Sequence, residues 1–150
     1  MTARWGQRGH TLLELMIVIS ILSVMLAAVL PVLGRVYQHY ELEGSSREIV
    51  SDIRSAQVSA WVEHGEQELR FNRFSPRYSR WESGVFRWQK RMSERIAYRL
   101  GYIESTVETL RYGRQRAVGS GNIRLINQLG QQAEVKIFPI SGHAVFGGMR

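Results

Sequence analysis

The feature that most constrains this chain is an unbroken apolar run from Leu15 to Leu33, with the carboxylate of Glu14 set against its start. The run holds 19 residues without a charge, and only Ser20 and Ser23 carry polar side chains. As a helix rising about 1.5 Å per residue it covers nearly all of a hydrocarbon core of about 30 Å, so it can cross a bilayer once. A secretory signal peptide is the rival reading, because Arg4 and Arg8 put positive charge ahead of the apolar stretch. Two features favour a retained anchor: the run exceeds the usual signal core, and Pro31-Val32-Leu33-Gly34-Arg35 offers no small-x-small cleavage site at its end. The basic residues ahead of the run predict a cytoplasmic amino terminus and residues 35–150 on the other side of the membrane.

Arg8-Gly9-His10-Thr11-Leu12-Leu13-Glu14 precedes this run: a short basic leader, a glycine, and an acid four residues beyond His10. The chain resembles type IV pilin-like proteins, whose prepilin peptidase cuts after the glycine and whose mature fifth residue is glutamate. The resemblance implies cleavage between Gly9 and His10, N-methylation at His10, and an assembly role for Glu14. Physically, a carboxylate placed deep in hydrocarbon costs about 2.5–3.5 kcal/mol unless it finds a partner. Cutting after Gly9 would create one, an amine on His10 one helical turn from Glu14, facing it within the chain or between neighbouring chains. Pro31 falls where pilin helices commonly carry a proline that loosens the helix. It also reads simply as a kink of the kind membrane helices tolerate. The usual residue after the scissile glycine is phenylalanine, and His10 departs from it.

With 150 residues, a mean hydropathy of −0.21 despite the anchor, and no cysteine, the remainder must be one small polar domain. It has no disulfide, thiol nucleophile or cysteine zinc site, so its own core, its helix or its neighbours must stabilise it. Ile49, Val50, Ile53, Ala56, Ala60 and Trp61 recur at spacings of three and four, which predicts an amphipathic helix. We expect one helix from about residue 11 to about 63, weakened around Gly44, where Ser46 can cap a fresh start. After Gly65 the period shifts toward two. Strands are expected at Leu69–Phe71, Val85–Trp88, Ile96–Leu100, Leu110–Tyr112, Ile123–Leu125, Val135–Ile137 and Ala144–Phe146, with Phe74 to Lys90 either a long loop or an extra hairpin. The expected class is α+β, a long N-terminal helix packed on a small antiparallel β-sheet. Its segments are a leader at 1–9, a transmembrane helix at 10–33, an amphipathic continuation at 34–64 and a sheet domain at 65–150.

The tail, Gly121-Asn122-Ile123-Arg124-Leu125, Leu129-Gly130, Glu134-Val135-Lys136-Ile137 and Gly142-His143-Ala144-Val145, is similar to the closing strands of Gram-positive competence minor pilins of the D type. His143 stands where such sequences often have arginine. Those proteins are related to the H-type minor pseudopilins of type II secretion. The resemblance implies a subunit of a DNA-uptake pseudopilus, or alternatively of a protein-export one. Its partners would be major and minor pilins, the prepilin peptidase, an assembly-platform membrane protein and membrane lipid, with cell-surface exposure after assembly.

His10, His39, His64 and His143 show no metal-ligand spacing, and no nucleophile elbow or phosphate loop occurs, so the sequence offers no catalytic site, metal or cofactor. Charge is the remaining signal. Between Arg70 and Arg99 nine basic residues face only Glu82 and Glu94, interleaved with Phe71, Phe74, Tyr78, Trp81, Phe86, Trp88 and Tyr98. Arginine forks beside exposed rings suit phosphate contact and base stacking, which makes Arg73, Arg77 and Arg80 candidate DNA contacts. The alternative is a solvated rim whose arginines pair with acidic neighbours while the rings form the core.

Overall fold

The computed structural model describes residues 11–104, 106–114, 116–139 and 141–149. Leader residues 1–9 and His10, and with them the expected cleavage and methylation sites, lie outside the described residues. Helix α1 spans Leu12–Val62, and the chain divides into two compact units, Met1–Val36 and Tyr37–Arg150.

In the first unit every described helical residue is exposed, and α1 is long and apolar enough here to cross a membrane. Its two serines do not disturb that property. Ser20 Oγ donates to Met16 O and Ser23 Oγ to Ile19 O, both at 2.8 Å, so each hydroxyl is satisfied within the helix. Pro31 lies inside α1, where it removes one backbone donor and leaves the Ala27 carbonyl without its usual helical partner.

In the second unit α1 buries Leu42, Ser46, Ile49, Val50, Ile53, Ala56 and Ala60, a stripe at spacings of three and four. Two expectations fail here. The helix runs through Gly44 without interruption, and Ser46, rather than capping a new start, is buried and donates back to Leu42 O at 2.8 Å. Trp61, expected in the buried stripe, is 72% exposed, because it lies one residue and hence about 100° around the helix from Ala60.

Among the described residues nine strands follow, paired antiparallel in two sheets rather than one. The first, in the order β3-β2-β1-β5-β6, is built from β1 (Gln67–Phe71), β2 (Arg77–Glu82), β3 (Val85–Arg91), β5 (Thr109–Tyr112) and β6 (Ala117–Val118). The second, ordered β4-β7-β8-β9, contains β4 (Ile96–Tyr98), β7 (Gly121–Asn127), β8 (Gln132–Ile137) and β9 (Ala144–Met149). The ambiguous stretch before Lys90 is a hairpin. Ser83 and Gly84 both take positive φ, 47° and 79°, as a two-residue turn between right-twisted strands requires.

Alternation along the strands sends Leu69, Phe71, Tyr78, Leu110 and Tyr112 from the first sheet, and Ile123, Leu125, Val135 and Ile137 from the second, into one core with the helix stripe. Each buried aliphatic chain contributes about 1.5–3 kcal/mol relative to exposure. A polar cluster adds to this packing: Tyr78 donates its hydroxyl to Asp52 Oδ2 at 2.6 Å, and Lys90 Nζ donates to Asp52 and Glu48 at 2.8 Å each. Burial first, and then the hydrogen bond to Asp52, holds the Tyr78 hydroxyl far above its ordinary pKa. Desolvation works against the Lys90 ammonium, but its two carboxylate partners outweigh it and raise the pKa.

Candidate helix terminus and basic groove

At the start of α1, Thr11 is the N-cap. The Glu14 backbone N–H donates to Thr11 Oγ1 at 3.3 Å, and Leu15 N–H to Thr11 O at 3.2 Å. Thr11-x-x-Glu14 is thus a capping-box sequence, with Glu14 at the third helical position. Its negative charge also lies at the end of the helix where backbone dipoles favour an anion. Glu14 therefore has a local structural role besides the assembly role that its sequence context implies, and the T-x-x-E spacing was legible without coordinates.

The second candidate region is the face of the first sheet turned away from the helix. Strand alternation and register put Glu68 and Arg70 of β1, Arg77, Ser79 and Trp81 of β2, Phe86, Gln89 and Arg91 of β3, and Arg111 of β5 on this face. Glu68, only 8% exposed, accepts from Arg70 at 2.6 Å and from Arg111 at 3.0 Å. The Arg70 guanidinium lies 4.3 Å from the centre of the Trp81 ring, and Trp81 meets Phe86 edge-on at 5.6 Å. Between β1 and β2, Asn72 Oδ1 accepts from Phe74 N–H, Ser75 N–H and Ser75 Oγ at 3.0–3.1 Å, fixing a tight turn. That turn presents Phe74, 73% exposed, with the Arg73 guanidinium 5.6 Å from its ring. A groove of about 410 Å³ on this face is lined by Arg70, Arg73, Phe74, Arg77, Trp81 and Phe86, with Glu108 as an acid on its lining.

The three arginines singled out from sequence are not one patch. Arg73 and Arg77 share the groove, and among the described residues neither forms an ion pair. Arg80 lies three residues along β2 from Arg77 and so on the opposite face. It donates from Nε to Gln67 Oε1 and from Nη1 to Ser55 Oγ, both at 3.1 Å, toward the helix. Arg70, which sequence reasoning did not single out, takes its place; its period-two spacing from Glu68 and its register with Ser79 put it on the outer face. Most other cations of the 70–99 window are engaged: Arg87 with Glu82, Lys90 with Asp52 and Glu48, Arg91 with Glu94, and Arg95 with Glu41.

A separate groove of about 670 Å³ lies at the end of α1, where Val58, Trp61 and Val62 face Arg114, Arg116 and His143. One wall is the loop at Gly142, where φ is +62° and an added Cβ would come within 2.5 Å of Tyr112 and 2.7 Å of Ala117. Among the described residues, no group of three His, Asp or Glu side chains could hold a metal ion.

Residues 6–30 match the prokaryotic N-terminal methylation motif. That segment includes Gly9, His10 and Glu14. Among solved structures, the chain is similar to the minor pseudopilin EpsH from the type 2 secretion system of Vibrio cholerae. The TM-score is 0.55, the identity 11%, and the match covers 71% of this chain and 95% of EpsH. The fold is pilin-like. A long N-terminal apolar helix continuing into an antiparallel β domain is the arrangement that the sequence predicts, and the pilin-like fold joins it to a methylation motif in one chain. Comparison with curated proteins finds no match.

Proposed function

We infer that this chain is a minor pilin, a subunit of a pseudopilus anchored by α1 and built from several pilin types. The observation that carries the reading is the methylation motif at residues 6–30 joined to a pilin-like fold. In this reading the prepilin peptidase cuts between Gly9 and His10, the new amine on His10 is methylated, and Glu14 neutralises it as the helix leaves the bilayer for the filament, where an unpaired charge would be costly. Pro31 gives the helix a place to yield during that transfer. The amino terminus faces the cytoplasm before assembly, and the β domain is outside, reaching the cell surface in the filament.

The filament served is that of DNA uptake in competence. Support comes from the tail pattern of β7 to β9 and from the basic, aromatic groove on the outer sheet face. Protein export is the second reading, favoured by the fold shared with EpsH, a protein of a type 2 secretion system. Deleting the gene and complementing it in its own host tests both. Loss of transformation with unchanged protein secretion supports uptake, loss of secretion alone transfers the protein to export, and no effect on either refutes both.

A further inference from the structure

Resting on the minor-pilin reading, we propose that the groove at the end of α1 is a docking site for a different pilin subunit, which inserts an acidic segment with an apolar side chain between Trp61 and the turn that carries Arg114 and Arg116. The floor of the groove is a second apolar face of the helix. Val58, Trp61 and Val62 fall at spacings of three and four, and they expose 62–72% of their surface although Ala56 and Ala60 beside them are fully buried. Large apolar side chains gathered on one helical turn and open to solvent form the kind of patch that a partner covers. Trp and Arg are also the side chains enriched at the energetic centres of protein interfaces, and this groove presents both.

The walls are tied down on both sides. Gly113 N–H donates to Arg116 O at 2.8 Å, closing the turn that carries the two arginines. Opposite, Gln57 Nε2 donates to Ser141 O and the Tyr112 hydroxyl to Gly142 O, both at 3.2 Å, which fastens the loop at Gly142 to α1 and β5. A segment entering the groove meets walls that are already ordered, so little entropy is lost in shaping them. Charge then selects the occupant. Arg114, Arg116 and His143 stand on a lining that contains no acid, and among the described residues neither arginine forms an ion pair. Glu63, next along α1 from Val62, lies off the lining and accepts from Gln67 Nε2 at 3.4 Å. Guanidinium forks take carboxylates, so the rim calls for an acidic segment and the floor for an apolar side chain within it. A second copy of this chain is the wrong partner, because the chain carries a formal net charge of +7 and two such molecules repel.

The test uses the full chain in the membranes of its own host, with the photo-reactive residue p-benzoylphenylalanine in place of Trp61 and, in a second strain, of Val58. Irradiation followed by mass spectrometry of the cross-linked peptide identifies what lies in the groove. The adduct should join a pilin other than this chain, at a segment with Asp or Glu beside the attached residue. Arg114→Glu together with Arg116→Glu should lower its yield about tenfold or more, since like charges then meet across the contact. Replacing the partner's acids by Arg should restore the yield in that charge-reversed chain, and thermal melts of the purified variants verify folding. An adduct with a second copy, with lipid, with a protein that is not a pilin or with a segment lacking acids would overturn the proposal. So would an adduct at neither position, a yield indifferent to the charge reversal, or a reciprocal exchange that restores nothing. Co-purification from the same membranes scores the minor-pilin reading separately: a chain that brings other pilins with it but cross-links to none through the groove loses this assignment and keeps that reading, whereas a chain that brings no pilin loses both.

Discussion

Asp52→Ala should be among the most destabilising single changes outside the apolar core. Its carboxylate accepts from Tyr78 at 2.6 Å and from Lys90 at 2.8 Å, joining α1 to β2 and β3. Removing it leaves the Tyr78 hydroxyl, on a residue 3% exposed, without its acceptor, which costs about 1–3 kcal/mol. Lys90 loses less: its side chain is 38% exposed and keeps Glu48 at 2.8 Å, so the ion pair adds at most about 1 kcal/mol after solvent screening. The expected total is about 1–4 kcal/mol, or roughly 4–16 °C in Tm at about 4 °C per kcal/mol for a domain of this size. Tyr78→Phe removes the donor instead and leaves Asp52 its lysine, so it should cost only about 0.5–1.5 kcal/mol. In the double variant the penalty should fall below the sum of the two, because no hydroxyl remains to be stranded. Tryptophan fluorescence melts of the full chain in detergent measure all three, with Trp88 packed 5.9 Å from the Tyr78 ring as reporter. The reasoning is refuted if Asp52→Ala costs no more than Tyr78→Phe, or if the two effects simply add.

Gly9→Val should leave the precursor uncut, since a branched side chain obstructs approach to the Gly9-His10 bond; mass spectrometry of the membrane-extracted protein showing normal loss of residues 1–9 would contradict this. Glu14→Gln keeps the capping-box geometry but removes the charge, so the variant should be cleaved yet fail to co-purify with partner pilins; parental assembly would eliminate the charge-pairing role. Alkaline pH should unfold the domain steeply. Burial raises the pKa of Tyr78, Tyr98 and Tyr112, so the folded state holds protons that the unfolded state releases. Stability is then complete below about pH 10 and falls above it by up to about 1.4 kcal/mol per pH unit for each tyrosine, and Lys90, its pKa also raised, adds loss in the same direction. A Tm that stays level from pH 9 to pH 11 would show that these hydroxyls ionise freely in the folded protein.

The sequence by itself determined the features that depend on local chemistry and periodicity. The uncharged run from Leu15 to Leu33 can satisfy its backbone in lipid only as a helix, and its serines bond back within that helix. The three-and-four spacing of Ile49, Ile53, Ala56 and Ala60 set the buried stripe, and period-two alternation set most strands. Turn chemistry at Ser83-Gly84 was also present in the sequence, though the flanking arginines and aromatics of β2 and β3 obscured the hairpin because they alternate without an apolar face. Tertiary structure decided what depends on partners distant in the chain. Gly44 remains helical because the surrounding turns of α1 pack on the core and overcome a local propensity worth only about 1 kcal/mol. The division of the strands into two sheets follows from pairing across long separations, such as β1 with β5 and β4 with β7, which no local pattern specifies. The same holds for the arginines: composition makes Arg73, Arg77 and Arg80 equivalent, and only strand register turns Arg80 to Ser55 and Gln67 while leaving Arg77 outside.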